Sequence, residues 1–494
     1  MTRARALSGA ALMLAVGCGK NPTGAGRPAE IVVVAPTAPV SDTVTALLPQ
    51  PLVVEVRDST GQPWPGVTVR FVAGSTSLNG VVEPHMYLSA TTPDQYRSEM
   101  ETVTDGTGRA AVRVLLGRVA TVGSVRIEAP TLGVGTTGSF VVRAGATVRT
   151  VVMPRDTAVY VGGSYALRAA NEDRWGNATP ISVTSAVYGA PGIATVAGSA
   201  ATGAVAVTGA AVGRASLTVT ANGQQVPVFV SVVPQGTLLA GRGGSIYLFE
   251  LDGAGFRRVV QGQDARSPRW LPDGQSFVFG TGLGHAFVST LAGAVRPLVP
   301  GNNPLAAELW PHPSRDGQWI YFGGYAGAEF RGYPHRMRAD GTGLLQMVPG
   351  FTPDGQNQSH PSTSPTGDRV VFFREAVGDS RSVTLRIINM QTGQTVLQNV
   401  PGHAPEWSHG DSIAYLDTQG GTWGPIRLMS SAGQGHRAVS GGTSYDFGFD
   451  WSPNDQWIVA RDLVDQRLEV VRVATGERIP LPYTTGMYDP AWKP

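Results

Sequence analysis

The sequence predicts an all-β chain: two small β-sandwiches followed by a six-bladed β-propeller. Three observations carry this. A short phrase, Pro268-Arg269-Trp270-Leu271-Pro272-Asp273-Gly274, returns in degraded form at Pro311–Gly317, Pro361–Gly367, Pro405–Gly410, Trp451–Asn454 and Pro490–Pro494, and a period of roughly 40–50 residues marks a propeller, solenoid or array. An X-Gly turn follows five of the phrases by about 25 residues and a sixth, Asp252-Gly253, lies before the first, and runs of alternating apolar and polar residues flank these turns, as half-buried strands require. The 64 glycines and a charged fraction of only 15% suit a chain of many short strands and tight turns.

Residues 1–17 read as a secretory leader. Arg3 and Arg5 precede a short apolar stretch that ends in small residues, too short to span a bilayer. Leu14-Ala15-Val16-Gly17-Cys18 resembles a bacterial lipobox. The resemblance implies that Cys18 is lipidated and that the mature chain is anchored in the cell envelope of a bacterium, with Gly19 after the cysteine implying the outer membrane. Cys18 is the only cysteine, so no internal disulfide forms. Residues 18–30 form a Gly/Pro/Asn-rich tether. The leader holds two of the 38 basic residues and none of the 36 acidic ones, so the rest is balanced at 36 against 36. No basic block suggests nucleic acid.

Residues 31–145 contain strands such as Leu52–Arg57, Val67–Phe71, Ala110–Val114, Val125–Glu128 and Ser139–Val142, spaced as in a sandwich. The runs VRDSTGQPWPGVTVRF and TVTDGTGRAAVRV resemble the invasin/intimin-type bacterial immunoglobulin-like (Ig-like) domain, from which the long excursion at 74–100 departs. Residues 147–233, with YVGGSYALRAANEDRWGNATP, GIATVAG and GRASLTVTANGQQVPVFVSV, resemble the group 2 bacterial Ig-like domain. The resemblance implies spacer modules; adhesion through 74–100 is the functional alternative. Pro234-Gln235-Gly236 is the expected joint.

Residues 235–494 hold the repeats. Each unit supplies the Pro-x-Trp strand, a strand after the Asp-Gly turn, such as Gln318–Phe322 or Arg369–Phe373, and a hairpin closed by an X-Gly turn. Residues 235–260 supply three strands with no Pro-x-Trp strand before them, and residues 488–494 supply one such strand alone. Together they complete a sixth blade and remove two open sheet edges. The phrase PRWLPDGQSFVF with its polar-Gly hairpin resembles the TolB-type propeller repeat, across about half the chain. Several copies depart from it, with Pro313 and Thr363 in place of Trp and Thr366-Gly367 and Asn454-Asp455 in place of Asp-Gly. Such a repeat is informative about fold and poor for function.

No nucleophile elbow, Walker loop, His-Glu-x-x-His helix or cysteine pair is present. The chain therefore reads as a binding protein whose propeller engages a protein or cell-wall polysaccharide, with no cofactor required. Tyr325, Phe330, Arg331 and Tyr333, in an irregular stretch, and Tyr445 and Phe447, in a second aromatic cluster, are the candidate partner contacts, because exposed Tyr and Arg concentrate binding energy. Polar residues ahead of each Pro-x-Trp strand, Asp264, Glu308, His360, His403, Asp446 and Asp489, are expected at the channel rim. There they either cap strand ends or, if they converge, hold a divalent metal for a polysaccharide lyase or hydrolase. Trp270, Trp407, Trp451 and Trp492 share one repeat position and read as packing between blades.

Overall fold

The computed structural model describes residues 28–37, 40–78, 81–90, 95–189, 192–199, 204–326, 331–346, 354–376, 379–418, 424–441 and 444–494. The leader, Cys18 and nearly all of the tether lie outside them, as does Phe330. The described chain is all-β apart from one short 3-10 turn, Pro482–Thr484. By internal contacts it divides into two units, Met1–Thr150 with Asn171–Thr179, and Val151–Ala170 with Pro180–Pro494.

In the first unit two sheets enclose one core. One sheet orders Pro28–Ala35, Leu52–Asp58, Arg109–Leu116 and Met86–Ser89; the other orders Val40–Thr43, Val134–Arg143, Thr121–Ala129, Thr68–Ala73 and Glu99–Val103. Alternation sets the inner faces. Along Arg109–Leu116, Ala110, Val112, Val114 and Leu116 are buried while Arg109 and Ala111 are exposed. They meet Val54, Val56, Phe71 and Ile127 in a single apolar cluster, each such side chain contributing about 1.5–3 kcal/mol on burial. The excursion at 74–100 is largely built structure. It forms a hairpin, Ser75–Leu78 with Val81–Pro84, then gives Met86–Ser89 to one sheet and begins Glu99–Val103 of the other.

The second unit opens with another pair of sheets. Arg149–Met153, Ser164–Glu172, Ala204–Gly209 and Ala194–Ser199 follow one another in one, and Asp156–Tyr160, Gln224–Val233, Gly213–Ala221 and Val183–Tyr188 in the other. Leu167, Val207, Leu217, Val219, Val228 and Val230 form their common core. From Val233 the chain passes through 234–236 directly into Thr237–Arg242. The apolar packing does not stop at this joint. Ala158 and Val233 share one cluster with Leu238, Leu251, Trp457, Met487 and Trp492. Polar ties accompany it: the Tyr160 hydroxyl lies 3.1 Å from Gly236 O and 3.0 Å from Glu250 Oε2 and accepts Leu251 N–H at 3.1 Å. Ser231 Oγ donates to Pro480 O at 2.8 Å, and Arg467 reaches Asp156 at 3.4 Å.

From Thr237 onward six four-stranded antiparallel sheets follow in series among the described residues. The second to sixth each run in chain order and begin with Ala265–Trp270, Ala307–Pro313, Asn357–Thr363, His403–Trp407 and Tyr445–Trp451. The first is composite. Tyr488–Trp492 pairs with Thr237–Arg242, so the late strand completes the early hairpin as the ends of the repeat region require. The leading strands pack successively, second on third through to sixth, and Tyr488–Trp492 touches both the second and the sixth. They thus form a closed ring around an axis. The repeat tryptophans stitch it: Trp270 Nε1 donates to Ala491 O at 3.2 Å and Trp451 Nε1 to Glu406 O at 3.1 Å, each across to the preceding sheet.

Candidate functional site: the axis of the ring

Each leading strand has an irregular register near its proline. The residue just before that proline adopts a left-handed conformation in five of the six sheets: Ser267, Trp310, His360, Ala404 and Asp489, with φ between 48° and 54°. Non-glycine residues seldom pay for this geometry without over-determining contacts. Its fivefold recurrence makes it a property of the repeat. It yields two layers of side chains. The pre-proline layer is Ser267, Trp310, His360, Ala404, Gly448 and Asp489, and the layer two residues on, the x of Pro-x-Trp, is Arg269, His312, Ser362, Glu406, Asp450 and Ala491.

The x layer closes the axis. Arg269 of the second sheet and Glu406 of the fifth stand three sheets apart, and Arg269 Nη2 donates to Glu406 Oε1 at 2.8 Å. Both side chains are almost wholly buried, 8% and 2% exposed. The same guanidinium donates to the carbonyls of Phe449 and Pro490. His312 Nε2 lies 3.0 Å from Glu406 Oε2, and His360 Nε2 3.6 Å from Oε1. Burial alone would raise the Glu406 carboxyl, but His312 and Arg269 outweigh it and hold the group well below the usual carboxylate range. A buried charge stripped of its partner costs about 3–5 kcal/mol, so neither half of this pair stands alone. Ser362 and Asp450 turn sideways and accept the backbone N–H of Trp407 and Trp492 in the next sheet, at 2.9 and 2.8 Å. Burial raises the Asp450 carboxyl, partly opposed by Arg269.

Space opens on both sides of this plug. Beyond the pre-proline layer lies a cavity of about 600 Å³ lined by Arg266, Ser267, Thr281, Trp310, Asp446, Phe447, Arg461, Tyr488 and Asp489 among others. Between it and the plug is a polar chamber of about 10 Å³ bounded by Ser267, Arg269, Trp310, His312, His360, Glu406, Phe447 and Asp489. On the far side a cavity of about 200 Å³ is ringed by Trp270, Trp407, Trp451, Trp492, Arg315 and His409.

The expected rim residues separate into two groups. Asp446 and Asp489 line the large cavity. Asp446 accepts Arg461 Nη1 at 2.8 Å, and Asp489 Oδ2 accepts both Ser267 N–H and Oγ–H at 2.9 Å. His360, 3% exposed, stacks on Trp310 with ring centres 5.7 Å apart, and His403 stacks on Phe373 at 4.1 Å with Phe447 edge-on at 4.7 Å. Asp264 and Glu308 do not join them. Asp264 pairs with Arg266 on an exposed turn. Glu308 is buried between the second and third sheets, accepting Ala286 N–H at 3.0 Å and Asn303 Nδ2–H. Among the described residues no three His, Cys, Asp or Glu side chains are disposed to hold a metal ion. Glu406, the carboxylate beside His360, is already engaged by Arg269.

Of the expected partner contacts, Phe447 lines the large cavity and is half-buried. Tyr325 and Tyr445 correct the expectation. Both are buried, at 8% and 0% exposure, because each hydroxyl has an internal acceptor: Asn357 Oδ1 at 3.0 Å for Tyr325, and Glu469 for Tyr445. Arg331 and Tyr333 are half-buried, Tyr333 packing against the core around Phe372. Arg269, His312, Glu406 and Asp450, which form or flank the plug, are not among the residues expected at the rim. The signal was present: charged residues at one strand position between Pro and Trp must find opposite charges inside the ring.

No protein-family model matches the chain, and no curated protein matches it. Among solved structures it is similar to TolB from Acinetobacter baumannii, at 15% identity and TM-score 0.42 over 61% of this chain and 82% of that one. It is also similar to a protein assigned as TolB from Agrobacterium tumefaciens, at 14% and 0.40 over 53% and 98%. A chain of a nidogen/laminin complex matches at 11% and 0.39 over 52% and 98%. These likenesses concern the fold alone, and TolB-like β-propeller proteins are among the structural neighbours.

Proposed function

We propose that this chain is a cell-envelope lipoprotein in which two Ig-like modules (31–145 and 147–233) present a six-bladed, TolB-like propeller (235–494) to a protein partner. In this reading residues 1–17 are the leader and Cys18 carries the lipid anchor in the outer membrane. The observation that carries the binding role is the large axial cavity. Its wall combines aromatic surface from Trp310, Phe447 and Tyr488 with the Asp446–Arg461 pair, the composition of a recognition surface. The plug behind it ties up the buried charged groups in one another, which suits a rigid receptor. Full-length protein should capture its partner from native envelopes, and the double variant Phe447→Ala, Arg461→Gln should lose that capture while melting within a few degrees of the parent. Undiminished capture by the double variant would remove the cavity from the binding role.

A further inference from the structure

The chamber between the plug and the large cavity has a donor–acceptor balance that selects its occupant. At about 10 Å³ it has room for a single water-sized group. His360 bounds it, is almost completely buried, and its Nδ1 has no hydrogen-bond partner, a state that buried polar groups seldom tolerate. Burial pushes the His360 imidazole below its usual range, so the ring is neutral and carries one proton. Its Nε2 stands 3.6 Å from the acceptor-only carboxylate of Glu406, which favours the proton on Nε2 and a lone pair on Nδ1. Two further acceptors border the same space. Asp489 spends only Oδ2 on Ser267, and Ser267 Oγ, having donated to Asp489, retains lone pairs. Three acceptor-bearing residues bordering a space for one heavy atom suit a group that brings three hydrogens. A hydroxyl brings one and a water two; a primary ammonium brings three. Trp310 and Phe447 add aromatic walls, which favour a cation. The Arg269 charge at the floor is neutralised by Glu406 and directed at three carbonyls, those of Pro268, Phe449 and Pro490.

We propose that this chamber is a subsite for a primary ammonium group, entering through the large cavity with Asp489, Ser267 and His360 as its acceptors. The inference rests on the reading of that cavity as the recognition face. Two sources share the chemistry: a lysine side chain of a protein partner, or an amino sugar of a wall glycan.

The test uses the full chain with ring-labelled histidine. Nα-acetyl-lysine methylamide and glucosamine are titrated while the His360 ring nitrogens are followed by NMR, beside the Nε-acetylated lysine derivative and N-acetylglucosamine. A saturable shift at His360 Nδ1 is expected with at least one amine and with neither acetylated control; the responding amine identifies the source. His360→Phe, which keeps the ring and removes the acceptor, should weaken binding of that amine at least about tenfold by calorimetry. Equal binding of an acetylated control, no saturable response to either amine, or full amine affinity in His360→Phe would each overturn the proposal. The acetylated controls need no variant, so misfolding cannot obscure the result. Loss of partner capture in Phe447→Ala, Arg461→Gln alongside a negative amine titration would leave the recognition face standing and remove only the ammonium subsite.

Discussion

His403 lies between Phe373 and Phe447, and burial pushes its imidazole well below the usual range, with His360 adding to the effect. The consequence for stability has a definite sign. As pH falls through about 6.5 the unfolded chain takes up a proton at this residue while the folded chain does not, so stability is present above that pH and is lost on acidification, by at most about 1.4 kcal/mol per pH unit for each such histidine. Asp450, raised rather than lowered, acts in the opposite sense and in the more acid range of carboxylates. Urea midpoints should therefore fall between about pH 7.5 and pH 5.5, and His403→Phe should flatten that fall; an unchanged slope would assign it to other groups. The residues behind this behaviour were only partly legible in the sequence. His360 and His403 stood out as histidines near a rim, yet Asp264, Glu308 and Asp446 were grouped with them although they precede the repeat proline, or Phe449 in its place, by three or four residues. Position relative to the proline decides which side chains face the axis. Aligning the copies on that residue collects Arg269, His312 and Glu406 at once, whereas choosing the nearest polar residue in each copy does not.

At the scale of the strand, the left-handed residue before each proline sets how closely neighbouring sheets approach. The sixth sheet is the exception. Gly448 stands where the others carry a side chain, and it is not left-handed. A Cβ at Gly448 would collide with the Cα of Asp489 in the adjoining strand, and backbone cannot move aside as a flexible side chain can. Gly448→Ala should therefore destabilise the chain by about 1–3 kcal/mol in chemical denaturation; a neutral effect would mean that Tyr488–Trp492 is free to shift outward. The repeat period and the composite first sheet were readable from the sequence, because Pro, Trp and Gly mark strand ends through local chemistry. The left-handed conformation before proline was not, since a residue before proline is ordinarily extended and, of the five residue types that adopt it, only Asp and His lean towards it on their own.

Across the second unit, the joint at 234–236 is a rigid connection. Apolar packing and the Tyr160 hydroxyl bridge its two sides, and Asp156 sits between Arg214 and Arg467. Tyr160→Phe would remove the hydroxyl's hydrogen bonds across the joint while Leu251 N–H keeps Gly236 O at 2.9 Å, at a cost of about 0.5–1.5 kcal/mol. Amide hydrogen exchange should then quicken both in Gln224–Val233 and in Thr237–Arg242; acceleration confined to one side would show that the two open independently. The composition of 234–236 suggested only a linker, because the partners that stiffen it come from Tyr160, Glu250, Ser231 and Pro480, far apart in sequence. The pairing of Leu238 with Trp492 has a related bearing on how the ring comes into being. Bringing together strands separated by some 250 residues carries a loop-closure entropy of about 5 kcal/mol, and the bonds that the closing strand itself makes, Trp492 N–H to Asp450 and Trp270 Nε1–H to Ala491 O, form only when the strands meet. The ring therefore assembles like a clasp. Five of its leading strands pair with strands that follow them directly in sequence, while its two open edges persist until Tyr488–Trp492 arrives, so refolding is expected to be limited by one late closure rather than by hairpin formation within the six sheets.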